Sequence, residues 1–151
     1  MKNSFFSLLI TGVLISTPLA PYHVVCPESL HEWFIEEGFT YQAEGWLQDH
    51  WKTPEETVRD KGGDCEDFAF LVDKVLSDLN YETHTIAMFF KKSAHAICFV
   101  NINGKYTWFD NHYYFNRQHD TIEEILNIYY PGWIYYYTIN LPKSFNNKVT
   151  R

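Results

Sequence analysis

The stretch GDCEDFAFLVDKVLSDLN, residues 63–80, decides the fold of this chain. Asp64 and Asp67 stand three positions apart, which is the spacing of a helix N-cap and its capping box. The apolar residues behind them recur at intervals of three and four, so they predict an amphipathic helix of about four turns with Cys65 at its start. These apolar residues are Phe68, Ala69, Val72, Val75, Leu76 and Leu79.

A β-hairpin is predicted farther along the chain. Residues 83–90 and 94–102 are rich in apolar and β-branched side chains, as β-strands are. The second stretch runs into Asn103-Gly104, the dipeptide most typical of a two-residue hairpin turn. With these two residues at the centre of the turn, Ile102 faces Lys105 and the pairing of all other residues follows.

The register makes His95 and Asp110 diagonal neighbours on one face of the two strands. At that separation an imidazole N–H can reach a carboxylate. Ile97, Phe99 and Trp108 share the face, so it is predicted to be a core face with the His–Asp pair at its edge. The amphipathic helix offers the best apolar stripe in the chain, and we expect it to pack on this face.

Other segments complete an α+β pattern. Ser29 and Thr53 are each predicted to cap a short helix. Residues 121–129 form another predicted helix, and residues 133–139 an aromatic strand. The predicted fold class is therefore α+β, with helices packed on an antiparallel sheet.

Composition and charge narrow the function. The chain has 151 residues, of which 46% are hydrophobic and 21% are charged, as in globular domains. Residues 21–151 contain no repeat or long linker and are predicted to form a single domain. The 12 basic and 19 acidic side chains give a net charge of -7, which is the wrong sign for binding phosphates, so no nucleic-acid partner is expected.

The N-terminus has the pattern of a targeting signal. Lys2 precedes an apolar run that reaches Ile15, and the small residue Ala20 ends the segment. Residues 1–20 are therefore predicted to be a signal peptide, and the protein to be exported to the periplasm or secreted. Two alternatives stay open: an uncleaved N-terminal membrane anchor, and a helix packed into the core. No other membrane contact is expected.

Cys65, His95 and Asp110 together predict a nucleophile set. A thiol at a helix N-terminus beside an imidazole favours the thiolate, and a carboxylate would fix the imidazole tautomer. Glu66 and Asp67 oppose this, because nearby negative charge raises the pKa of a thiol. Taken singly, the three residues have simpler explanations as a core cysteine, a core histidine and a strand-end aspartate.

Two further possibilities concern the remaining cysteines and histidines. A zinc site could combine the same three residues with His112, but the paired spacing of familiar zinc sites is missing. Cys26 and Cys98 are predicted to be two buried free thiols, and a disulfide between them is the alternative in an oxidising compartment.

Four motifs resemble the transglutaminase-like superfamily, and most nearly its bacterial cysteine proteinases. They are WKTPEE at 51–56, GDCEDFA at 63–69, His95-Ala96 at the start of a strand, and WFDN at 108–111. The resemblance covers about residues 30–112. It implies a papain-like α+β fold, in which the helix with the cysteine at its N-terminus packs on an antiparallel sheet. It also implies that Cys65 is the nucleophile, His95 the base and Asp110 the orienting carboxylate.

The resemblance bears on cofactors and on the oxyanion hole. Some exported proteinases of this kind bind calcium through acidic residues beside the cysteine, which here are Asp64 and Glu66. No other cofactor is expected. The backbone N–H of Cys65 is one predicted oxyanion donor, and a side chain would supply the second. The candidates for that side chain are Gln42, Trp46, Gln48 and Trp51.

The leading hypothesis is thiol-dependent acyl transfer by a cysteine peptidase or transglutaminase-like amidase. The enzyme would attack a peptide or side-chain amide of a protein or peptide substrate, form a thioester on Cys65 and resolve it with water. The alternative is a catalytically silent binding or assembly module of the same fold, whose tyrosines form a recognition surface. These tyrosines are Tyr113, Tyr114, Tyr129, Tyr130 and Tyr135–Tyr137.

Overall fold

The computed structural model describes residues 18–43 and 50–140. Most of the predicted signal peptide, residues 1–17, lies outside the described residues, as do Trp46 and Gln48. The elements in chain order are α1 Pro27–Glu36, β1 Thr40–Tyr41, α2 Pro54–Asp60, β2 Gly62–Gly63, α3 Cys65–Asp78, β3 Glu82–Phe89, β4 Ala94–Ile102, β5 Lys105–Asp110, β6 Tyr113–His119, α4 Ile122–Tyr129 and β7 Tyr135–Thr138. The predicted α+β class is confirmed.

The main sheet has five strands in the order β6-β5-β4-β3-β7, and every neighbouring pair is antiparallel. The predicted hairpin register is confirmed, because Ile102 pairs with Lys105 and Phe99 with Trp108 across the Asn103-Gly104 turn. β1 and β2 form a separate parallel pair of two residues each. Gly63, the last residue of β2, is followed by Asp64, the N-cap residue of α3.

The two faces of the sheet carry different helices. Ala96, Cys98 and Val100 of β4 belong to the cluster that contains α1 and α3. Ile97 and Phe99 belong to a second cluster. Its buried members are Ile86, Met88, Ile97, Phe99, Trp108, Ile125 and Leu126, so α4 covers this face.

The prediction that the Cys65 helix packs on the face of Ile97, Phe99 and Trp108 is therefore wrong. The helix itself forms as predicted, with its buried apolar stripe, but it packs on the opposite face. The reason is that β4 is buried on both faces. Alternation along a strand separates its two faces, but it cannot assign a helix to one of them when both are apolar.

The shorter helices match the predictions in part. α2 begins as expected, because the Thr53 side chain accepts a hydrogen bond from the Glu56 N–H at 3.1 Å. α1 begins earlier than predicted. Cys26 is its N-cap residue, and Ser29 lies inside the first turn, where its Oγ accepts a hydrogen bond from the Cys26 N–H at 3.0 Å. Ser29 therefore helps to cap α1 from within the helix.

The remaining predictions concern the C-terminal half, the cysteines and membrane segments. α4 and β7 occur where they were expected. β6 was not predicted, because it lies at a sheet edge with one buried residue, His119, and lacks alternation. All three cysteines are free thiols, with Cys98 buried and Cys26 half-buried. Within residues 18–43 and 50–140, no helix is long and apolar enough to cross a membrane.

Candidate functional site

The N-terminus of α3 is held by the carboxylate of Asp67. This side chain accepts hydrogen bonds from the backbone N–H of Asp64 at 3.2 Å and of Lys52 at 2.7 Å. The first bond closes the helix start as in a capping box, and the second ties it to the segment before α2. Burial raises the pKa of Asp67 to about 7 against the opposing effect of these two bonds. Cys65 is thus fixed as the first residue of α3.

The glycine pair before α3 fits tightly against this arrangement. A Cβ atom at Gly63 would collide with the Asp67 side chain, and one at Gly62 would collide with the backbone oxygen of Thr40. Lys52 secures the same region, because its Nζ donates a hydrogen bond to the Gly62 carbonyl at 3.0 Å. The two glycines therefore let the chain pass close enough to present the cysteine.

A cavity of about 80 Å³ opens beside Cys65. Its walls come from the start of α3, from β3 and β4, and from the β7 edge of the sheet. Residues lining it are Trp51, Cys65, Glu66, Ala87, Phe89, Ala94, His95, Ala96, Tyr137 and Ile139. The cysteine and the histidine predicted from the sequence thus border one cavity, whose other walls are mostly apolar.

The Cys65 thiol is protonated in this arrangement. Its sulfur donates a hydrogen bond to Oε2 of Glu66 at 3.0 Å. Burial is the largest cause that raises the pKa of the Cys65 thiol, and the Glu66 carboxylate raises it further; the backbone N–H of Ala96 partly opposes them. Glu66 therefore raises the pKa of the Cys65 thiol, as the sequence predicted.

His95 and Asp110 form the pair that the hairpin register predicted. The distance between Nε2 of His95 and Oδ1 of Asp110 is 2.9 Å. Burial acts to raise the pKa of Asp110, but the bonds from His95 and Tyr130 outweigh it, so the pKa lies below its usual value. A carboxylate that stays ionised can fix the imidazole with its Nε2 protonated, which leaves Nδ1 as the basic nitrogen.

The imidazole and the thiol approach the cavity from opposite sides of the sheet. Met88, the pairing partner of His95, belongs to the cluster under α4, whereas Cys65 packs with the cluster that contains α3. Among the described residues, the thiol donates to Glu66 and not to His95. The backbone of β4 at Ala96 is what lies against the sulfur. The two side chains therefore share a cavity without being hydrogen-bonded.

The sequence does not predict the contacts that Tyr130 and Lys52 make in this region. Tyr130, the C-cap residue of α4, donates a hydrogen bond from its hydroxyl to Oδ2 of Asp110 at 2.7 Å. Lys52 is buried although it is a lysine, because its ammonium group bonds the Gly62 carbonyl. Both contacts depend on tertiary structure, and the sequence carries no local pattern that would reveal them.

The oxyanion candidates have different positions. Trp51 lines the cavity. Gln42 is not among the lining residues; its Nε2 donates to the Asp60 carbonyl at 3.4 Å and its Oε1 accepts from Lys52 at 3.3 Å. Trp46 and Gln48 fall outside the described residues. Of the two described candidates, Trp51 is the one that lines the cavity together with Cys65.

The calcium candidates beside Cys65 are two carboxylates, those of Asp64 and Glu66. Calcium takes six to eight oxygen ligands, and no group of three His, Cys, Asp or Glu residues that could hold a metal occurs in residues 18–43 and 50–140. Glu66 is engaged by the thiol. The same finding disfavours the zinc alternative, and His112 instead packs with its ring centroid 5.4 Å from that of Phe68.

A family model described as "Transglutaminase-like domain" matches residues 20–129. A search of curated proteins found no match. Calcium-bound LapG of Legionella pneumophila is a similar solved structure, with 24% identity and a TM-score of 0.47 over 59% of this chain and 55% of LapG. The chain thus spans about half the length of that protein.

Two other solved structures are similar to the same extent. The EGTA-treated form of LapG has 24% identity and a TM-score of 0.45, and covers 59% of this chain and 53% of LapG. A candidate cysteine protease from Cytophaga hutchinsonii has 18% identity and a TM-score of 0.46, over 59% of this chain and 31% of its own.

Proposed function

Because this chain belongs to the transglutaminase-like domain family, we propose that it is a cysteine-dependent enzyme that hydrolyses peptide or side-chain amides of protein substrates. The observation that carries this proposal is the shared cavity, in which Cys65 at the start of α3 meets His95, whose ring is bonded to Asp110. A nucleophile, a base and an orienting group are the minimal set for acyl transfer through a thiol.

In the proposed reaction, Nδ1 of His95 removes the proton from Cys65, and the sulfur forms a bond to the substrate carbonyl carbon. The carbon–nitrogen bond then breaks, and the imidazolium returns its proton to the leaving amine. Water, activated by the same imidazole, adds to the thioester and releases the acid and the thiol. The backbone N–H of Cys65 is the proposed donor to the oxyanion, with Trp51 at the same cavity.

The reaction requires a change at the thiol before the first step. Glu66 accepts the thiol hydrogen bond, so its side chain has to turn away. The sulfur and the imidazole, which enter the cavity from different faces of the sheet, then have to approach each other for proton transfer. Catalytic contacts often become short only when substrate is bound. We expect substrate binding in the cavity to displace Glu66, because the entering carbonyl needs the same space.

A reactive peptide probe tests this proposal. We expect a peptide aldehyde or vinyl sulfone to label Cys65 in the wild-type protein, and labelling to fall at least about 100-fold in His95→Ala, in line with the worth of a general base. Cys65→Ala is the negative control, and Cys26→Ala, which changes a half-buried thiol at the start of α1, should label like the wild type. Equal labelling of wild-type protein and His95→Ala would contradict the proposal.

Hydrolysis and amine transfer can be separated in the same material. Peptides incubated with the wild-type protein should gain a carboxyl terminus, or lose a side-chain amide, by mass spectrometry. Addition of a primary amine should leave the product unchanged if water resolves the thioester. A product that carries the amine would instead identify a transferase.

One observation favours the alternative of a catalytically silent binding module. Phe89 stacks on Tyr135 and on Tyr137 with centroid distances of 4.7 and 5.4 Å. Tyr135 and Tyr137 are about half exposed, at 53% and 51%. Such an aromatic surface suits recognition of a partner. In this case Cys65→Ala would retain all partner binding and Tyr137→Ala would lose it. Ile128→Ala is the control, because Ile128 is similarly exposed at 54% and is not part of the tyrosine surface.

Export is also a proposal. We infer export from the N-terminal signal; fractionation of cells, with N-terminal sequencing of the protein, would find a chain that begins near residue 21. An intact N-terminus in the membrane fraction would indicate an anchor.

Calcium binding through Asp64 and Glu66 is a further proposal, and the melting temperature tests it. A higher melting temperature with added calcium than with EGTA would support the site, and equal melting temperatures would contradict it.

A further inference from the structure

We propose that Tyr130 is a positioning residue, which holds the Asp110 carboxylate in the orientation that engages the His95 ring. This inference rests on the proposed function, because it assigns Tyr130 a part in orienting the base of that reaction. Tyr130 lies at the end of α4 and does not line the cavity. Its hydroxyl bonds Asp110, and its ring lies 6.1 Å from that of His95, centroid to centroid.

The two carboxylate oxygens of Asp110 are used by different partners. Oδ1 bonds Nε2 of His95 at 2.9 Å and also accepts from Nδ2 of Asn111 at 3.2 Å. Oδ2 accepts from the Tyr130 hydroxyl at 2.7 Å. Rotation of the carboxylate about its Cβ–Cγ bond would break both sets of contacts. The hydroxyl of Tyr130 therefore locks the oxygen that faces the imidazole by binding the other one.

Tyr130 is itself fixed by a buried group. Nε1 of Trp108 donates a hydrogen bond to the Tyr130 oxygen at 3.0 Å, and Trp108 is 1% exposed. Because this N–H occupies a lone pair of the phenol oxygen, the hydroxyl proton is directed toward Asp110. The Trp108 indole thus donates to the phenol, and the phenol donates to the Asp110 carboxylate, which also accepts the hydrogen bond from His95.

The electrostatics agree with this geometry. Burial and the Asp110 carboxylate raise the pKa of the Tyr130 hydroxyl, so it stays a donor throughout the working range of pH. A neutral donor stabilises the carboxylate without competing with His95 for its charge. The network is consequently complete, with each hydrogen-bonding atom of Asp110 satisfied and the imidazole tautomer set.

Removal of one hydroxyl tests the role. In Tyr130→Phe we expect the rate of Cys65 labelling by the peptide probe to fall on the order of tenfold, the worth of one hydrogen bond to a charged group. Tyr129→Phe is the matched control, because it removes a hydroxyl one position earlier on the same helix, where the ring packs 4.7 Å from that of Trp108. This control should label like the wild type.

A double-mutant cycle separates positioning from general packing. If Tyr130 acts through Asp110, Tyr130→Phe will have no further effect on labelling in the Asp110→Ala background. If the phenol only supports the fold, its removal will cost the same in both backgrounds, and the proposal is overturned. Equal losses in Tyr129→Phe and Tyr130→Phe would overturn it as well.

A spectroscopic measurement keeps the test independent of enzymatic activity. The proton on Nε2 of His95 is hydrogen-bonded to Asp110, so it should give a downfield resonance that exchanges slowly with water. We expect Tyr130→Phe to shift this resonance upfield and speed its exchange, and Tyr129→Phe to leave it unchanged. An unchanged resonance in Tyr130→Phe contradicts the positioning role, whereas failure of the wild-type protein to label would contradict only the proposed function.

Discussion

The protonation of the Cys65 thiol depends in part on its contact with one carboxylate. Burial raises the pKa of the Cys65 thiol, and Glu66, which accepts its hydrogen bond, raises it further. In Glu66→Gln the hydrogen bond can persist but the negative charge is gone. We therefore predict a lower thiol pKa, with iodoacetamide modification at pH 7 faster by several-fold up to about tenfold, since one pKa unit changes the thiolate fraction about tenfold.

Intact-mass measurements between pH 6 and 10 would supply the rate for each thiol in the same sample. Cys26, which is also partly accessible, is the internal reference and should react equally in both proteins. A modification profile for Cys65 that is identical in wild-type protein and Glu66→Gln would contradict the role given to Glu66.

The site residues differ in how far the sequence reveals them. Cys65 follows a capping signal, and His95 and Asp110 are related by the register of one tight turn, so local rules are enough to find them. Tyr130 reaches Asp110 only because α4 packs on the face of the sheet that carries Trp108 of β5. A contact of this kind depends on tertiary docking, and spacing along the chain cannot predict it.

At the scale of elements, the connection between β2 and α3 requires a glycine at position 63. A Cβ at Gly63 would overlap Asp67, the residue that closes the helix start. We predict that Gly63→Ala lowers the free energy of unfolding by about 1–3 kcal/mol, the usual cost of overpacking. Gly38→Ala is the comparison, because Gly38 has open space around it and a positive φ of 71°, so only backbone strain of about 1 kcal/mol applies.

Urea unfolding monitored by tryptophan fluorescence would measure both costs. The prediction for Gly63 fails if its alanine variant is no less stable than that of Gly38. Labelling of Cys65 by the peptide probe should also fall in Gly63→Ala, since the helix start would have to move.

The docking of α4 is a second test at this scale. Leu126 is fully buried against the sheet, whereas Ile128 on the same helix is 54% exposed. Leu126→Ala should destabilise the protein by about 2–5 kcal/mol, because it leaves a cavity in the core. Ile128→Ala should change the free energy of unfolding by less than about 0.5 kcal/mol. Comparable losses from the two variants in urea unfolding would argue against the packing described for α4.

Elements and register were easier to predict than the packing of layers. The turn at Asn103-Gly104 fixed the pairing of β4 with β5, and capping residues marked α2 and α3. The assignment of α3 to a face failed because Ile97 and Cys98, on opposite faces of β4, are both fully buried. Where a central strand is covered on both sides, hydrophobicity alone does not say which helix lies where.

At the scale of the whole molecule, acid should weaken the fold through His112. Burial, with a smaller contribution from His31, holds the pKa of His112 below its usual 6.5. The unfolded chain therefore binds the proton more readily, so this stabilising contribution is complete above pH 6.5 and is lost as the pH falls through the folded pKa. We predict that wild-type stability falls relative to His112→Phe when the pH drops from 7.5 to about 5.5.

The quantity to measure is the difference in free energy of unfolding between the wild-type protein and His112→Phe, because other groups titrate in the same range. Asp67, with its pKa raised from 3.8 to about 7, acts in the opposite sense: its contribution is complete below pH 3.8 and is lost as the pH rises through 7. Urea unfolding at a series of pH values would reveal the His112 contribution once the Asp67 contribution, common to both proteins, cancels. A pH-independent difference would contradict the prediction.

The hydrogen bond from Cys65 to Glu66 has a consequence for how fast the thiol is oxidised. Peroxide and small disulfides attack the anionic form of sulfur, and the neutral form reacts slowly. While no substrate is bound, the carboxylate keeps the sulfur in the neutral form, so sulfenic acid forms slowly even where oxidants are abundant. The sulfur is thereby protected from oxidation for as long as Glu66 holds its proton.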